Sequence, residues 1–199
     1  MRKKTETYRL GFVQAAGKLF IEQGFGSVTM EAVAAEAGAS KVTLYSYFPN
    51  KEALFEAFVA EAGKDGNESL AAAQQETALR ASLMRLGMCY LDLVTRPEVI
   101  AVNRLIIGEA GRQPQLSRIF YENGSKHTLL AICSVLESLM ERGLLNRAAL
   151  RQTGLYFKSL CEAGLVERQL WGLDSRPDTD TRMAAVHNAI EVFLKAYLP

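Results

Sequence analysis

The chain of 199 residues is 49% hydrophobic and 23% charged, and it carries a formal net charge of +1. These proportions are those of an ordinary globular protein and exclude a disordered or collagen-like chain. No apolar run approaches the roughly 20 residues that cross a bilayer, and the basic start precedes no apolar stretch typical of a secretory signal. The three cysteines, Cys89, Cys133 and Cys161, are widely separated and indicate no disulfide framework. We therefore expect a soluble cytoplasmic protein without a membrane partner.

The charges are unevenly distributed along the chain. Residues 1–51 contain seven basic and four acidic side chains, a net charge of +3, whereas the remaining 148 residues have a net charge of −2. A positive segment on an otherwise neutral chain is typical of a face that meets a polyanion. Because the excess is small, it supports a nucleic-acid interface only together with a binding motif.

Helical periodicity begins in the first segment and is followed by several capping signals. Gly24 ends the first apolar pattern as a C-terminal cap, and Gly38 ends a second, shorter one. Ser, Thr and Asn side chains favour helix N-termini because they accept a hydrogen bond from a free backbone N–H. Three such residues precede predicted helices, namely Thr29 before 30–37, Ser40 before 41–47, and Asn50 before a helix that starts at Lys51.

The helical pattern continues through the rest of the chain. The glycine-containing stretch 63–67 is unfavourable for a helix and is the best candidate for a domain junction. Further helical patterns cover 76–96, the residues after Pro97, those after Pro114, 129–140, 147–171 and 182–198. No segment shows sustained alternation of apolar and polar residues, so we predict an all-α fold.

The two short helices over 30–37 and 41–47, joined by a turn that contains Gly38, are typical of a helix-turn-helix. In this motif the second helix enters a major groove of DNA and its first residues meet base edges. Donors suited to DNA are concentrated in and around this helix: Ser40, Lys41, Thr43, Tyr45, Tyr47 and Lys51. A three-helix packing unit with a solvated polar face is the alternative, but two tyrosines on so short a helix favour a binding partner.

The same stretch resembles the DNA-binding signature of TetR/AcrR-type bacterial transcription regulators. The matching residues are Leu19-Phe20, Gly24-Phe25, Val33-Ala34, Ala37-Gly38 and Ser40-x-x-Thr43-Leu44-Tyr45-x-Tyr47-Phe48-x-Asn50-Lys51-Glu52-x-Leu54. The resemblance covers about residues 8–58. It implies a DNA-binding domain with three helices over 5–65, with the helix-turn-helix at about 28–47, and a larger helical-bundle domain for ligand binding and dimerisation over 70–199.

The resemblance also implies roles for individual residues. Thr29, Tyr47 and Lys51 are expected to hold the phosphate backbone, Ser40 and Thr43 to lie near the groove, and Lys41 and Tyr45 to reach bases or phosphates. Position 42 departs from the family pattern, because Gly is frequent there and this chain has Val42. A valine at this position is able to touch a thymine methyl group.

Three segments of the second domain resemble the regulatory domain of a TetR subgroup related to AefR: Arg104–Ala110, Pro114-x-Leu116 with Phe120-Tyr121, and Leu170–Leu173. The family implies a small-molecule effector, which we expect to be largely apolar. Its candidate contacts are Met84, Met88, Leu105, Tyr121 and Trp171. Methionines also serve as gap-fillers in ordinary cores, which is the simpler interpretation of Met84 and Met88.

The family also implies a homodimer formed through the last two long helices. Segment 147–171 mixes large apolar residues with small ones, and the final helix adds Ile190 and Phe193, so four helices from two subunits could pack together. An intrachain core would produce the same pattern.

The predicted function is therefore a ligand-responsive repressor that binds a palindromic operator as a dimer and is released by its effector. A DNA-binding activator is an alternative, because the direction of regulation depends on where the operator lies. An all-α enzyme or small-molecule carrier would need a cluster of acid–base or metal-ligating groups in 70–199, and the sequence offers none. Two isolated histidines do not form a metal site, so we expect no catalytic residues and no cofactor.

Overall fold

The computed structural model describes residues 2–199, with side chains from Thr5 onward. The helices in chain order are α1 (Arg2–Gln23), α2 (Met30–Glu36), α3 (Lys41–Tyr47), α4 (Lys51–Ala71), α5 (Leu79–Val94), α6 (Pro97–Glu109), α7 (Pro114–Phe120), α8 (Lys126–Glu141), α9 (Leu150–Glu162), α10 (Leu165–Leu170) and α11 (Thr179–Tyr197). A 3₁₀ turn over Ala72–Gln75 precedes α5, and a π-helical turn over Tyr121–Ser125 precedes α8. No β-strand occurs within residues 2–199, and the predicted all-α fold is confirmed.

The described chain forms two compact units. The first contains the residues up to Ala62 together with Ala101–Gly124, and the second contains Gly63–Ile100 and Ser125–Pro199. Residues 101–124 thus belong with the first helices, whereas the sequence predicts domains over 5–65 and 70–199. Each unit has its own hydrophobic core.

The core of the first unit is built mainly from aromatic and aliphatic side chains of α1, α2 and α4. Phe20, Phe25 and Phe55 are buried and pack with ring centroids 5.1–5.7 Å apart. Helices α6 and α7 also contribute to this core through the buried side chains of Val102, Ile106 and Leu116. The first three helices therefore share their core with side chains from much later in the chain.

Gly17 lies inside α1, although glycine is unfavourable in the interior of a helix. A Cβ atom at this position would lie 2.3 Å from Cε2 of Phe58, which is a steric clash. Glycine costs about 1 kcal/mol relative to alanine in a helix interior. Here it is required because α1 and α4 approach closely at this point.

The stretch 63–67, which the sequence marks as unfavourable for a helix, is helical, because α4 continues through it to Ala71. A Cβ atom on Gly66 would lie 2.5 Å from Cδ1 of Leu93, so this glycine permits close packing between α4 and α5. The Ser69 hydroxyl also donates to the carbonyl oxygen of Asp65 at 2.8 Å. Tertiary packing therefore overrides the low helix propensity of this segment.

The prediction of one helix over 147–171 is wrong. Two helices, α9 and α10, occupy the segment and are separated by Ala163 and Gly164. Both separating residues have left-handed backbone conformations, with φ of 36° and 88°. A left-handed residue ends an α-helix, and glycine adopts this conformation without steric cost.

The second core is formed by α5, α8, α9 and α11. Phe157 and Phe193 are both buried and meet edge to face, with ring centroids 5.1 Å apart. Gly154 brings α9 close to α8, since a Cβ atom there would lie 2.8 Å from the sulfur of Cys133. Phe157 and Gly154 of α9 thus belong to an intrachain core, the alternative to a dimer interface for this pattern of large and small residues.

Within residues 2–199, none of the helices combines the length and the apolar character needed to span a membrane.

Candidate DNA-binding site

Helices α2 and α3 form the helix-turn-helix, and both begin with a side-chain cap. Thr29 Oγ1 accepts a hydrogen bond from the amide of Ala32, and Ser40 Oγ accepts one from the amide of Thr43, both at 3.1 Å. Asn50 Oδ1 accepts from the amide of Ala53 at 2.8 Å in the same way at the start of α4. The sequence predicted all three caps, together with the bounds of α3.

The turn between α2 and α3 depends on Gly38. Its φ of 64° lies in the left-handed region, where residues with a side chain are strained. The buried side chains of Val33, Ala34 and Leu44 hold the two helices together around this turn. As a result, α3 is held by one buried face and exposes the opposite one.

The exposed face of α3 carries the residues expected to reach DNA bases. Val42 is 82% exposed and Tyr45 is 43% exposed, although both side chains are large and apolar. Lys41 is exposed beside them at the N-terminus of the helix. Val42 and Tyr45 thus place exposed apolar surface on the helix that the motif presents to DNA, where it is available to contact bases.

Ser40 and Thr43 have structural roles at the same end of α3. Their hydroxyl oxygens lie 2.8 Å apart, within hydrogen-bond distance, in addition to the cap bond. Ser40 is exposed and Thr43 is half-buried. Both hydroxyls therefore lie at the N-terminus of the helix, where backbone N–H groups favour phosphate oxygens.

Thr29 and Tyr47 occupy the edges of this surface. Thr29 is exposed at the N-terminus of α2. The ring of Tyr47 packs against Phe12 of α1 with centroids 5.6 Å apart, and the residue is half-buried. A tyrosine anchored in this way presents its hydroxyl from a fixed position.

Lys41 is paired with Glu31 of α2, and the two side chains form an exposed ion pair. The Nζ atom of Lys41 also lies 5.7 Å from the ring centroid of Tyr45. The hydrogen bond from Lys41 lowers the pKa of the Glu31 carboxyl, and the same bond raises the pKa of Lys41. Sequence reasoning missed Glu31, because a pair ten residues apart on two different helices has no signature in the periodicity of either helix.

Lys51 is half-buried at the start of α4, and its ammonium group is turned toward the segment between α1 and α2. Nζ donates to the carbonyl oxygens of Phe25 at 2.7 Å and Val28 at 2.9 Å, with Gly26 O at 3.5 Å. It also lies 4.4 Å from the ring centroid of Phe25. These contacts are absent from the sequence-based interpretation, which assigned Lys51 to a phosphate.

The five candidate effector contacts fall into both units. Leu105 packs against the first core, and Tyr121, in the first unit, is 42% exposed. Met84 and Met88 are partly buried against the second core, whereas Trp171 is 65% exposed at the C-terminal cap of α10. Met84 and Met88 are thus the candidates with an apolar environment inside the second unit.

Two protein families match the chain. Residues 12–58 match the bacterial regulatory proteins of the tetR family, and residues 81–199 match the C-terminal domain of AefR-like transcriptional repressors. An uncharacterized HTH-type transcriptional regulator of Mycobacterium tuberculosis is 29% identical over 177 residues, which cover 87% of this chain and 81% of that protein.

Solved structures agree with these matches. A Mesorhizobium loti protein assigned to the TetR family of transcriptional regulators superposes with a TM-score of 0.86 at 25% identity, covering 98% of both chains. The flavonoid-responsive regulator FrrA superposes with a TM-score of 0.77 at 31% identity, again covering 98% of both chains. The resemblance seen in the sequence is confirmed: the chain belongs to the TetR family of transcriptional regulators, which are not enzymes, and α2–α3 is its DNA-binding helix-turn-helix.

Proposed function

We propose that this regulator is a ligand-responsive repressor that binds a palindromic operator as a homodimer and leaves it when a small apolar effector binds. The observation that carries the proposal is the exposed face of α3, where the side chains of Lys41, Val42 and Tyr45 are accessible to solvent. They are flanked by the capped N-termini at Thr29 and Ser40. Side chains that read bases and N-termini that hold phosphates are the two components of sequence-specific binding.

In this proposal Thr29 and Tyr47 contact phosphates, while Ser40 and Thr43 line the groove entrance. Val42 touches a thymine methyl, and Lys41 and Tyr45 reach base edges. Lys41 exchanges its pairing with Glu31 for a base acceptor when DNA binds. Because both members of that pair are exposed, breaking it costs little.

The dimer follows from the few bases that one short helix can read. Two recognition helices related by a two-fold axis enter successive major grooves about 34 Å apart, which makes the operator palindromic. The outward faces of α9 and α11 supply apolar surface for the contact, because Tyr156, Met183 and Val192 are each about half exposed. Phe157, Ile190 and Phe193 do not form the contact, since they are buried within their own subunit.

The effector is proposed to bind within the second unit beside Met84 and Met88, whose flexible side chains adapt to an apolar molecule. The structural relative FrrA is named a flavonoid-responsive regulator, so flavonoids are the first class of compound to test. The coupling between effector and operator is expected to be about 1–3 kcal/mol, or roughly 5- to 150-fold in DNA affinity. Helix α4, which contains residues of both units, is the proposed moving element.

Selection from a randomised duplex library with the full-length chain tests the core of this proposal. We expect enriched sequences with two inverted half-sites and a complex that sediments with two subunits per site. Lys41→Ala should change the preferred half-site, whereas Lys64→Ala, which removes an exposed lysine of α4 outside the helix-turn-helix, should leave it unchanged. A monomer bound to an asymmetric site would contradict the dimer.

Release is tested separately with the selected operator. Titration calorimetry with a compound that binds the free protein should give a weaker affinity when operator is saturating, because linkage requires the same factor in both directions. Equal affinities with and without operator would rule out ligand-driven release.

A further inference from the structure

We propose that Lys51 is a positioning residue of the DNA-binding site: its ammonium group fixes the segment between α1 and α2, and through it the N-terminus of α2, and it does not bind a phosphate. This inference rests on the proposed DNA-binding function, which it deepens. It replaces the phosphate role that the family resemblance implies for this residue.

The ammonium group of Lys51 has a limited number of hydrogen-bond donors. A lysine ammonium has three N–H groups and no acceptor. The three carbonyl oxygens of Phe25, Gly26 and Val28 lie 2.7, 3.5 and 2.9 Å from Nζ and converge on it from one segment. Two N–H groups are thus held at ordinary hydrogen-bond distance, and a phosphate would compete with the more distant Gly26 oxygen for the third.

The ammonium group of Lys51 lies in a partly buried environment. The ring of Phe25 lies 4.4 Å from Nζ, within the range of a cation–π contact. Phe25 is itself buried among the phenylalanines of the first core. The aromatic ring and the carbonyl oxygens together form a partly buried site that matches a single cation.

The Lys51 ammonium group holds the segment that connects α1 to α2. Phe25 and Val28 direct buried side chains into the core, so the backbone between them forms the connection from α1 to α2. Val28 directly precedes Thr29, whose hydroxyl caps α2. If Lys51 is removed, partly buried carbonyl oxygens lose their donor, which is costly for backbone groups shielded from water. The residue next to them is the proposed phosphate contact Thr29, so the loss reaches the DNA surface indirectly.

The salt dependence of DNA binding separates positioning from phosphate binding. Each phosphate that a lysine neutralises contributes about 0.9 to the slope of log affinity against log salt. A lysine that only positions other groups increases the DNA affinity but does not change the dependence of that affinity on salt. The charge-preserving variant behaves oppositely in the two cases, because arginine still neutralises a phosphate but does not place a compact ammonium among three carbonyl oxygens.

The experiment compares Lys51→Met and Lys51→Arg with the wild-type chain on the selected operator, each titrated at several salt concentrations. We expect both variants to bind roughly tenfold more weakly, because the shielded carbonyl oxygens lose their donor, with a salt slope close to that of wild type. Amide exchange in the free variants should accelerate over residues 25–32 while α1 and α4 keep their protection. A loss of about 0.9 in slope for Lys51→Met, together with wild-type binding by Lys51→Arg, would overturn the proposal.

A second measurement uses the unaltered protein and does not depend on how the variants fold. In the operator complex, the ammonium nitrogen of Lys51 should keep the chemical shift and slow hydrogen exchange that it has in the free protein. It should show no scalar coupling to a phosphorus nucleus across a hydrogen bond. Detection of that coupling would assign Lys51 to a phosphate. Failure of the wild-type chain to bind any duplex would instead contradict the proposed function and leave the contacts of Lys51 in the free protein unchanged.

Discussion

Helices α2–α4 and helices α7–α10 begin in different ways. The first three have a cap residue whose side chain bonds a free amide, namely Thr29, Ser40 and Asn50. The other four begin without such a bond, after Gln113, Ser125, Ala149 and Gly164. Helices α2–α4 are thus defined by local hydrogen bonds, whereas α7–α10 depend more on contacts between distant residues. Helix α11 resembles the first group, because Asp178 Oδ1 accepts from the amide of Thr181 at its start. Substitutions of caps and substitutions of packing residues should therefore have different consequences in the two regions.

The largest expected effect is the loss of a packing residue in the regulatory region. Phe157→Ala should lower the free energy of unfolding of the second unit by about 3–5 kcal/mol, because it removes a buried ring that packs on Phe193. Urea denaturation followed by amide exchange would measure this loss. Gln152→Ala, at an exposed position of the same helix, should change it by no more than about 0.5 kcal/mol. Equal effects of the two variants would show that α9 does not depend on this packing.

A pair of glycines in α4 provides a test of intermediate size. Gly66→Ala should destabilise the protein by about 1–2 kcal/mol, because the overlap with Leu93 outweighs the gain in helix propensity. Gly63→Ala should stabilise it by about 0.5–1 kcal/mol, since its nearest neighbour would be Asn67 Nδ2 at a tolerable 3.4 Å. The melting temperatures of the two variants should therefore shift in opposite directions. A similar shift of both would contradict the close approach of α4 and α5.

In the DNA-binding region the informative change is the removal of a cap. Ser40→Ala should cost about 1 kcal/mol, because the amide of Thr43 loses its acceptor. Ser40→Asp should keep the stability, since aspartate also caps helices, but it should weaken operator binding by placing a negative charge at the proposed groove entrance. Thermal unfolding and DNA titration would distinguish the two effects. Undiminished DNA binding by Ser40→Asp would place Ser40 away from the operator.

The smallest expected effect concerns pH and the ion pair between Glu31 and Lys41. The lowered pKa of Glu31 in the folded protein means that its contribution to stability is present above the pKa of the unfolded chain. That contribution is lost as the pH falls through the lowered folded value. Because the pair is exposed, Glu31→Gln should leave the melting temperature at neutral pH almost unchanged. A titration of the carboxyl followed by NMR should show the lowered pKa in wild type and a rise toward the ordinary value in Lys41→Ala, because Lys41 is the largest of several groups that lower it.

The difference between the two regions also explains which features were predictable from the sequence. The bounds of α3 and all three caps were predicted because capping chemistry involves residues only three positions apart. The continuous α4 and the break at Ala163–Gly164 were not, since each depends on where a distant helix packs or on a backbone conformation that alanine rarely adopts. Similarly, Val42 and Tyr45 could be predicted as DNA contacts because they lie on a short helix that the sequence defines. The contacts of Lys51 could not be predicted, because they join residues more than twenty positions apart.

The contribution of α6 and α7 to the first core has a consequence for engineered sensors. A chimeric regulator could be built by joining the N-terminal segment of this protein to the ligand-binding segment of another. A graft cut near residue 65 would carry α1–α3 into the chimera without Val102, Ile106 and Leu116, which fill the same core. The recipient would then have to supply three side chains of matching size and position. A transferable DNA-binding cassette from this protein should therefore be discontinuous in sequence and include residues 101–124.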